Sequence, residues 1–137
     1  MSIEHQTLTN GFQIVTENMP GLESASVGVW VKAGGRHERN NQNGIAHFLE
    51  HMAFKGTTTR SARAISETIE NVGGQINAYT SRENTAYYAK VLAQDAGLAI
   101  NVIADFLQNS ILDEEELERE LAGAVYSNMA KLTNLIL

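Results

Sequence analysis

Apolar and polar positions recur along this 137-residue chain in short blocks, each with the period of one element. In "SASVGVWVKAG", Val27, Val29 and Val31 alternate with Gly28, Trp30 and Lys32, which predicts a strand with one buried face. "HQTLTNGFQIVTEN" reads as a hairpin in which Asn10-Gly11 is a two-residue turn between short strands. "QINAYTSRENTAYYAKVLAQ", rich in Tyr and Thr, predicts two adjacent strands joined through Ser81 to Asn84. Between these lies a loop, "AGGRHERNNQNG", and a helix beginning near Gly44. "TTTRSARAISETIENVGG" predicts a second helix, capped by Ser61 and stopped at Gly73-Gly74. "DAGLAINVIADFLQNSI" is an amphipathic helix. "LDEEELERELAGAVYSNMAKL" is another, with Asp113 as N-cap and the acids Glu114 to Glu116 favoured at its first turn. Mostly antiparallel strands with helices packed on one side make the expected class α+β, in a single domain over residues 1–137.

Composition narrows the chemistry. A chain of this length can bury a core without covalent staples, and 43% hydrophobic content is ordinary for a folded protein. There is no cysteine, which excludes disulfides, thiolate metal sites and cysteine nucleophiles. Any metal must then be held by His, Asp or Glu. The net charge of −6 and the lack of a basic run argue against nucleic acid and against an anionic membrane as partner. The polar opening "MSIEHQTLTNG" is unlike a signal or transit peptide, and no apolar stretch reaches spanning length, so the expected location is the cytoplasm.

The stretch "GIAHFLEHMAFKGT" concentrates two of the chain's four histidines, with Glu50 between them, in an otherwise apolar run. On a helical wheel with His47 at zero, His51 falls at about 40° and Glu50 at about 300°, all within one sector. Ile45, Phe48, Leu49, Met52 and Ala53 occupy the opposite side and are expected to be buried. Imidazoles at i and i+4 can meet at one point above a helix, as a zinc ion requires of its first two ligands. Glu50 would sit beside the ion, placed to take a proton from a water that the metal acidifies. His-x-x-Glu-His is the inverzincin signature. The plain alternative is a set of polar residues on the wet face of a helix.

With its flanks, "GIAHFLEHMAFKGT" resembles the active-site helix of the M16 (pitrilysin-type) zinc peptidases. The pattern is similar to that of the mitochondrial processing peptidase β-subunit branch and its bacterial relatives. "LTNGFQIVTENMP", "SVGVWVKAGGRHE", "ENVGGQINAYTSRENTAYYAKVL" and "LQNSILDEEELERE" carry the resemblance, which runs from residue 1 to about 120. It implies a Zn²⁺-dependent endopeptidase that hydrolyses peptide bonds of polypeptides held as an extended strand. His47 and His51 become zinc ligands and Glu50 the general base. Asn77 and Ala78 would lie on the edge strand that pairs with bound peptide. Their Gly-Gly turn and Tyr and Thr neighbours equally suit a plain strand. Glu120, the last acid of "ELERE", would stand on a helix behind the metal, outside its direct shell. A solvated acidic helix face, with Glu116 and Glu120 as i, i+4 neighbours, is the other reading.

One departure follows from the same resemblance. The family's third zinc ligand is a glutamate two helical turns after the Glu120 position, where this chain has Ser127. No Asp or Glu follows Glu120. Seven residues span about 10 Å along a helix axis, whereas a ligand oxygen sits about 2 Å from zinc, so Glu120 cannot substitute without unwinding. The segment 121–137 is expected to diverge from the family pattern, and the chain to be an N-terminal portion with impaired catalysis. Its expected partners are a polypeptide substrate and a complementary M16 half or a second copy of itself. The alternative function is a non-catalytic M16-like remnant or partner subunit that binds peptide or metal without proteolysis.

Overall fold

Strand β5, Thr85–Leu92, is the centre of the fold, because it pairs on both sides. Its alternation explains why: Tyr87, Ala89 and Val91 are buried on one face, while Tyr88 and Lys90 point to the other. β3 (Ser24–Val31) and β4 (Gln75–Thr80) flank it, both antiparallel, giving the order β3-β5-β4. A separate hairpin, β1 (Ser2–Thr7) with β2 (Gln13–Asn18), forms a second antiparallel sheet. The molecule is seen here as a computed structural model that describes residues 2–123.

Helices cover one face of the three-stranded sheet. α1 is Ile45–Ala53, α2 is Ala62–Glu70 and α3 is Ala96–Asn109. A fourth, α4, starts after Asp113 and runs over residues 114–123. Ser61 caps α2 through its hydroxyl, which accepts the Ala64 N–H at 3.1 Å. Asp113 does the same for α4, accepting from Glu116 N at 3.2 Å. Ile65 and Ile69 of α2 meet Val102, Ile103 and Phe106 of α3 over Tyr87, Ala89 and Val91. The opposite sheet face carries Trp30, whose indole N–H donates to the Tyr79 hydroxyl across β5 at 3.3 Å. This is the α+β arrangement, with helices on one side of an antiparallel sheet. No helix among the described residues is long and apolar enough to cross a membrane.

Three local expectations change. The first hairpin turns through Thr9, Asn10 and Gly11, with Gly11 at φ 86°, so the connection holds one residue more than Asn-Gly alone. Leu8 N–H donates to Phe12 O and Gly11 N–H to Leu8 O, a type I turn closed by a left-handed residue. On β3 only Val27 and Val29 pack on the core, and Val31 is exposed at the strand end. On α1 the inner face is Met52 and Ala53, whereas Ile45 and Leu49 remain exposed. A nine-residue helix resting on β4, with further contact to β5, buries only the stripe that faces the sheet.

Candidate metal centre

α1 packs against β4, and that contact brings the chemistry together. His47, Glu50 and His51 place one ligand atom each within 4.8 Å of one another. The two histidines are exposed and Glu50 is half-buried. His47 Nε2 and His51 Nε2 stand 3.2 Å apart, with the rings edge to face. Two nitrogens bound to one tetrahedral zinc at about 2.0–2.1 Å are about 3.3 Å apart, so the spacing suits one shared ion, as it also suits a hydrogen bond between the two rings.

The other nitrogen of His51 decides its tautomer. Nδ1 lies 3.0 Å from Glu120 Oε2, and a carboxylate can only accept there. Nδ1 therefore carries a proton, and in the neutral ring this leaves Nε2 with the lone pair, the arrangement usual for a metal-ligating histidine. Lys55 completes the chain of contacts: its ammonium donates to Glu120 Oε1 at 2.8 Å and lies 3.5 Å from Glu116 Oε2. The Lys55 hydrogen bond, with help from His51, holds the Glu120 carboxyl below the usual range against the opposing effect of burial. The same bond raises the Lys55 ammonium.

Glu50 is oriented from the sheet. The Thr80 hydroxyl, at the end of β4, donates to Glu50 Oε2. Beneath lies Tyr87, whose hydroxyl is pushed up first by burial and then by the nearby Glu50 charge. Glu50 thus has one oxygen tied down while the histidine pair stands in front of it. A group so placed can accept a proton from a water held at the histidines.

β4 is an edge strand among the described residues, and Asn77 and Ala78 lie on it. Ser81 N–H donates to Asn84 O at 2.8 Å, and the alternation of an antiparallel ladder then turns the main-chain groups of Ile76 and Ala78 outward. The Asn77 carboxamide folds back and accepts the Ala78 N–H at 2.8 Å. Ser127 lies outside the described residues. No cluster of three or more potential ligands other than His47, Glu50 and His51 occurs among those described.

Thr80, Lys55 and Glu38, whose carboxylate accepts the Gly44 N–H at 2.7 Å at the start of α1, were not singled out from the sequence. Lys55 had a signal, being one helical turn after His51. Glu38 had a weaker one, as an acid just before a helix that opens on glycine. Thr80 had none, since only tertiary packing joins it to Glu50 across 30 residues.

The model of the insulinase family, peptidase family M16, matches residues 13–135. A Bacillus subtilis protein named as an uncharacterized zinc protease, YmxG, is 52% identical over 118 residues, which are 86% of this chain and 29% of that protein. The mitochondrial-processing peptidase subunit beta of Lentinula edodes is 52% identical over 117 residues, 85% of this chain and 25% of that one. A crystal structure of a protease from Helicobacter pylori superposes with a TM-score of 0.83 at 32% identity, covering 87% of this chain and 29% of that one. The chain thus spans less than a third of the length of these relatives. With the matched model covering most of its residues, the chain belongs to the insulinase family of peptidases, family M16.

Proposed function

We propose that the chain carries the metal and acid–base centre of a zinc-dependent endopeptidase acting on extended polypeptides. One observation carries the reading: two imidazole nitrogens converge at 3.2 Å beside a carboxylate that the sheet holds in place. Similarity to proteins named as zinc proteases supports the metal. His47 and His51 would hold Zn²⁺, and Glu120 would orient His51 from behind. When bound, zinc supplies Lewis acidity that acidifies a water and polarises a carbonyl.

The remaining steps belong to the protein. Glu50 removes the proton from the attacking water and returns it to the leaving amine. Thr80 keeps the carboxylate turned toward the histidines. The open edge at Ile76 and Ala78 accepts the substrate backbone as a further strand, with Asn77 and Ala78 contributing main-chain and amide bonds. A catalytic zinc takes three protein ligands, and the described residues supply two. A complementary M16 half or a second copy of the chain is the expected partner, closing a chamber over substrate. Relatives named as a β subunit support such a partner. The isolated chain is accordingly a slow enzyme, and the expected compartment is the cytoplasm.

The test is a calorimetric zinc titration of metal-stripped protein beside the His47→Ala/His51→Ala double variant, followed by cleavage of an unstructured peptide. Expected are one-to-one binding that the double variant lacks, and slow cleavage that a chelator stops and Glu50→Gln abolishes. Equal zinc affinity in the double variant overturns the metal reading. Binding without cleavage favours the second reading, a non-catalytic partner subunit, for which Ser127 at the third-ligand position speaks.

A further inference from the structure

The N-terminus of α1 is capped from a distance. Gly44 is its N-cap residue, at φ 95°, and has no side chain with which to satisfy the first N–H groups. Glu38 accepts them instead: Oε2 takes the Gly44 N–H at 2.7 Å and Oε1 the Ala46 N–H at 2.8 Å. Those bonds, Ala46 first, hold the Glu38 carboxyl below the usual range. A carboxylate at this end also complements the helix dipole. Ala46 directly precedes His47, so the cap fixes the turn that carries the first histidine.

Glu38 is in turn anchored to the sheet. Gly35 N–H donates to Ser81 O at 3.0 Å and Arg36 N–H to Arg82 O at 2.9 Å. The Arg36 guanidinium holds Glu83 at 2.6 Å. Gly34 lies so close to the turn that a Cβ there would come within 2.8 Å of the Arg82 carbonyl oxygen. These bonds tie residues 34–36, directly preceding the Glu38 region, to the β4–β5 turn, which begins immediately after Thr80, and Glu38 N–H donates back to Gly35 O at 3.3 Å. The short helix is therefore attached to one strand end twice, at its middle through Thr80 and Glu50 and at its start through Glu38. Two attachments restrict both sliding and rotation of a nine-residue rod.

We propose that Glu38 is a positioning residue: its carboxylate replaces the missing cap of α1 and sets the height of His47, Glu50 and His51 against the β4 edge. The part concerning metal affinity rests on the zinc reading above; the part concerning the helix does not. Sites of this kind need their groups held to within about 0.5 Å, which loops alone rarely achieve.

The experiment compares parent, Glu38→Gln and Glu38→Ala by amide hydrogen exchange on metal-free protein and by calorimetric titration with Zn²⁺ alone. Loss of the cap is expected to speed exchange of the Phe48 amide, which donates to Gly44 O at 2.9 Å, by about five- to tenfold in Glu38→Ala. Amides within α3 should keep the parent rate. Zinc affinity should fall about tenfold. Glu38→Gln, with one acceptor left, should fall between on both readouts, and it serves if Glu38→Ala does not fold. Unchanged α1 exchange, or a rise spread equally over α1 and α3, overturns the proposal. So does a parent-like zinc affinity in Glu38→Ala where the parent binds. If the parent binds no zinc while the exchange pattern appears, the cap stands and the metal reading falls.

Discussion

Lys55 and Glu120 form an ion pair at 2.8 Å whose far oxygen reaches His51 Nδ1 at 3.0 Å. A lysine with no place in the His-x-x-Glu-His pattern is thereby linked to the candidate ligand His51 through one intervening carboxylate. Without it, Glu120 is free to turn from His51 toward solvent. Lys55→Met should weaken zinc binding several-fold, up to about tenfold, with little change in melting temperature. Lys55→Arg should retain most of the affinity. Calorimetry on the three proteins checks this, and equal affinity for Lys55→Met would show that Glu120 holds its place unaided.

Thr80 acts on the other side of the site. Thr80→Val keeps the shape of the strand and removes the hydroxyl that orients Glu50. Peptide cleavage should slow by about tenfold while zinc affinity stays at the parent value, since general-base catalysis depends on the aim of the carboxylate. Thr80→Ser should restore most of the rate. A matched loss of zinc affinity in Thr80→Val would mean that the hydroxyl supports the helix rather than the base.

Asp105 makes a prediction about pH. Its carboxylate is buried on α3 and titrates at about 2, below its ordinary 3.8. The Asn109 amide at 3.0 Å is the largest cause and Arg60 at 2.7 Å the next; Thr57 and Thr59 add to them, and burial opposes. The folded value is the lower one, so the stabilisation is fully present above pH 3.8 and is lost as pH falls through about 2. Melting curves taken between pH 5 and about 2 should fall more steeply for the parent than for Asp105→Asn. Parallel curves would remove Asp105 from the acid response.

Phe106 tests how the core supports the site. It is 1% exposed, and its ring lies 5.1 Å from that of Phe54, just past the end of α1, and 5.4 Å from Tyr87. Phe106→Ala should lower unfolding stability by about 3–5 kcal/mol in a urea titration. A loss under about 1 kcal/mol would show that the neighbours collapse into the space.

Sequence periodicity located these elements because the signals were local. The Tyr- and Thr-rich strand pair, the Ser61 and Asp113 caps and the i, i+4 histidines each depend on residues near one another in sequence, and the structure has them in place. Ile45 and Leu49 were misjudged because amphipathicity tells which side of a helix is apolar, not whether anything covers it. Thr80 and Glu38 escaped for a related reason. Their partners are chosen by how α1 lies on β4, and no short-range pattern encodes that docking.

The Asn77 side chain has a consequence for solubility. An uncovered strand edge invites pairing with any extended chain, including another molecule of the same protein. Here the amide oxygen of Asn77 already occupies the Ala78 N–H, so a newcomer must displace it before making its first bond. That small barrier discriminates by commitment. A strand pairing along both Ile76 and Ala78 would offset that loss with further main-chain bonds, which a contact at Ala78 alone would not.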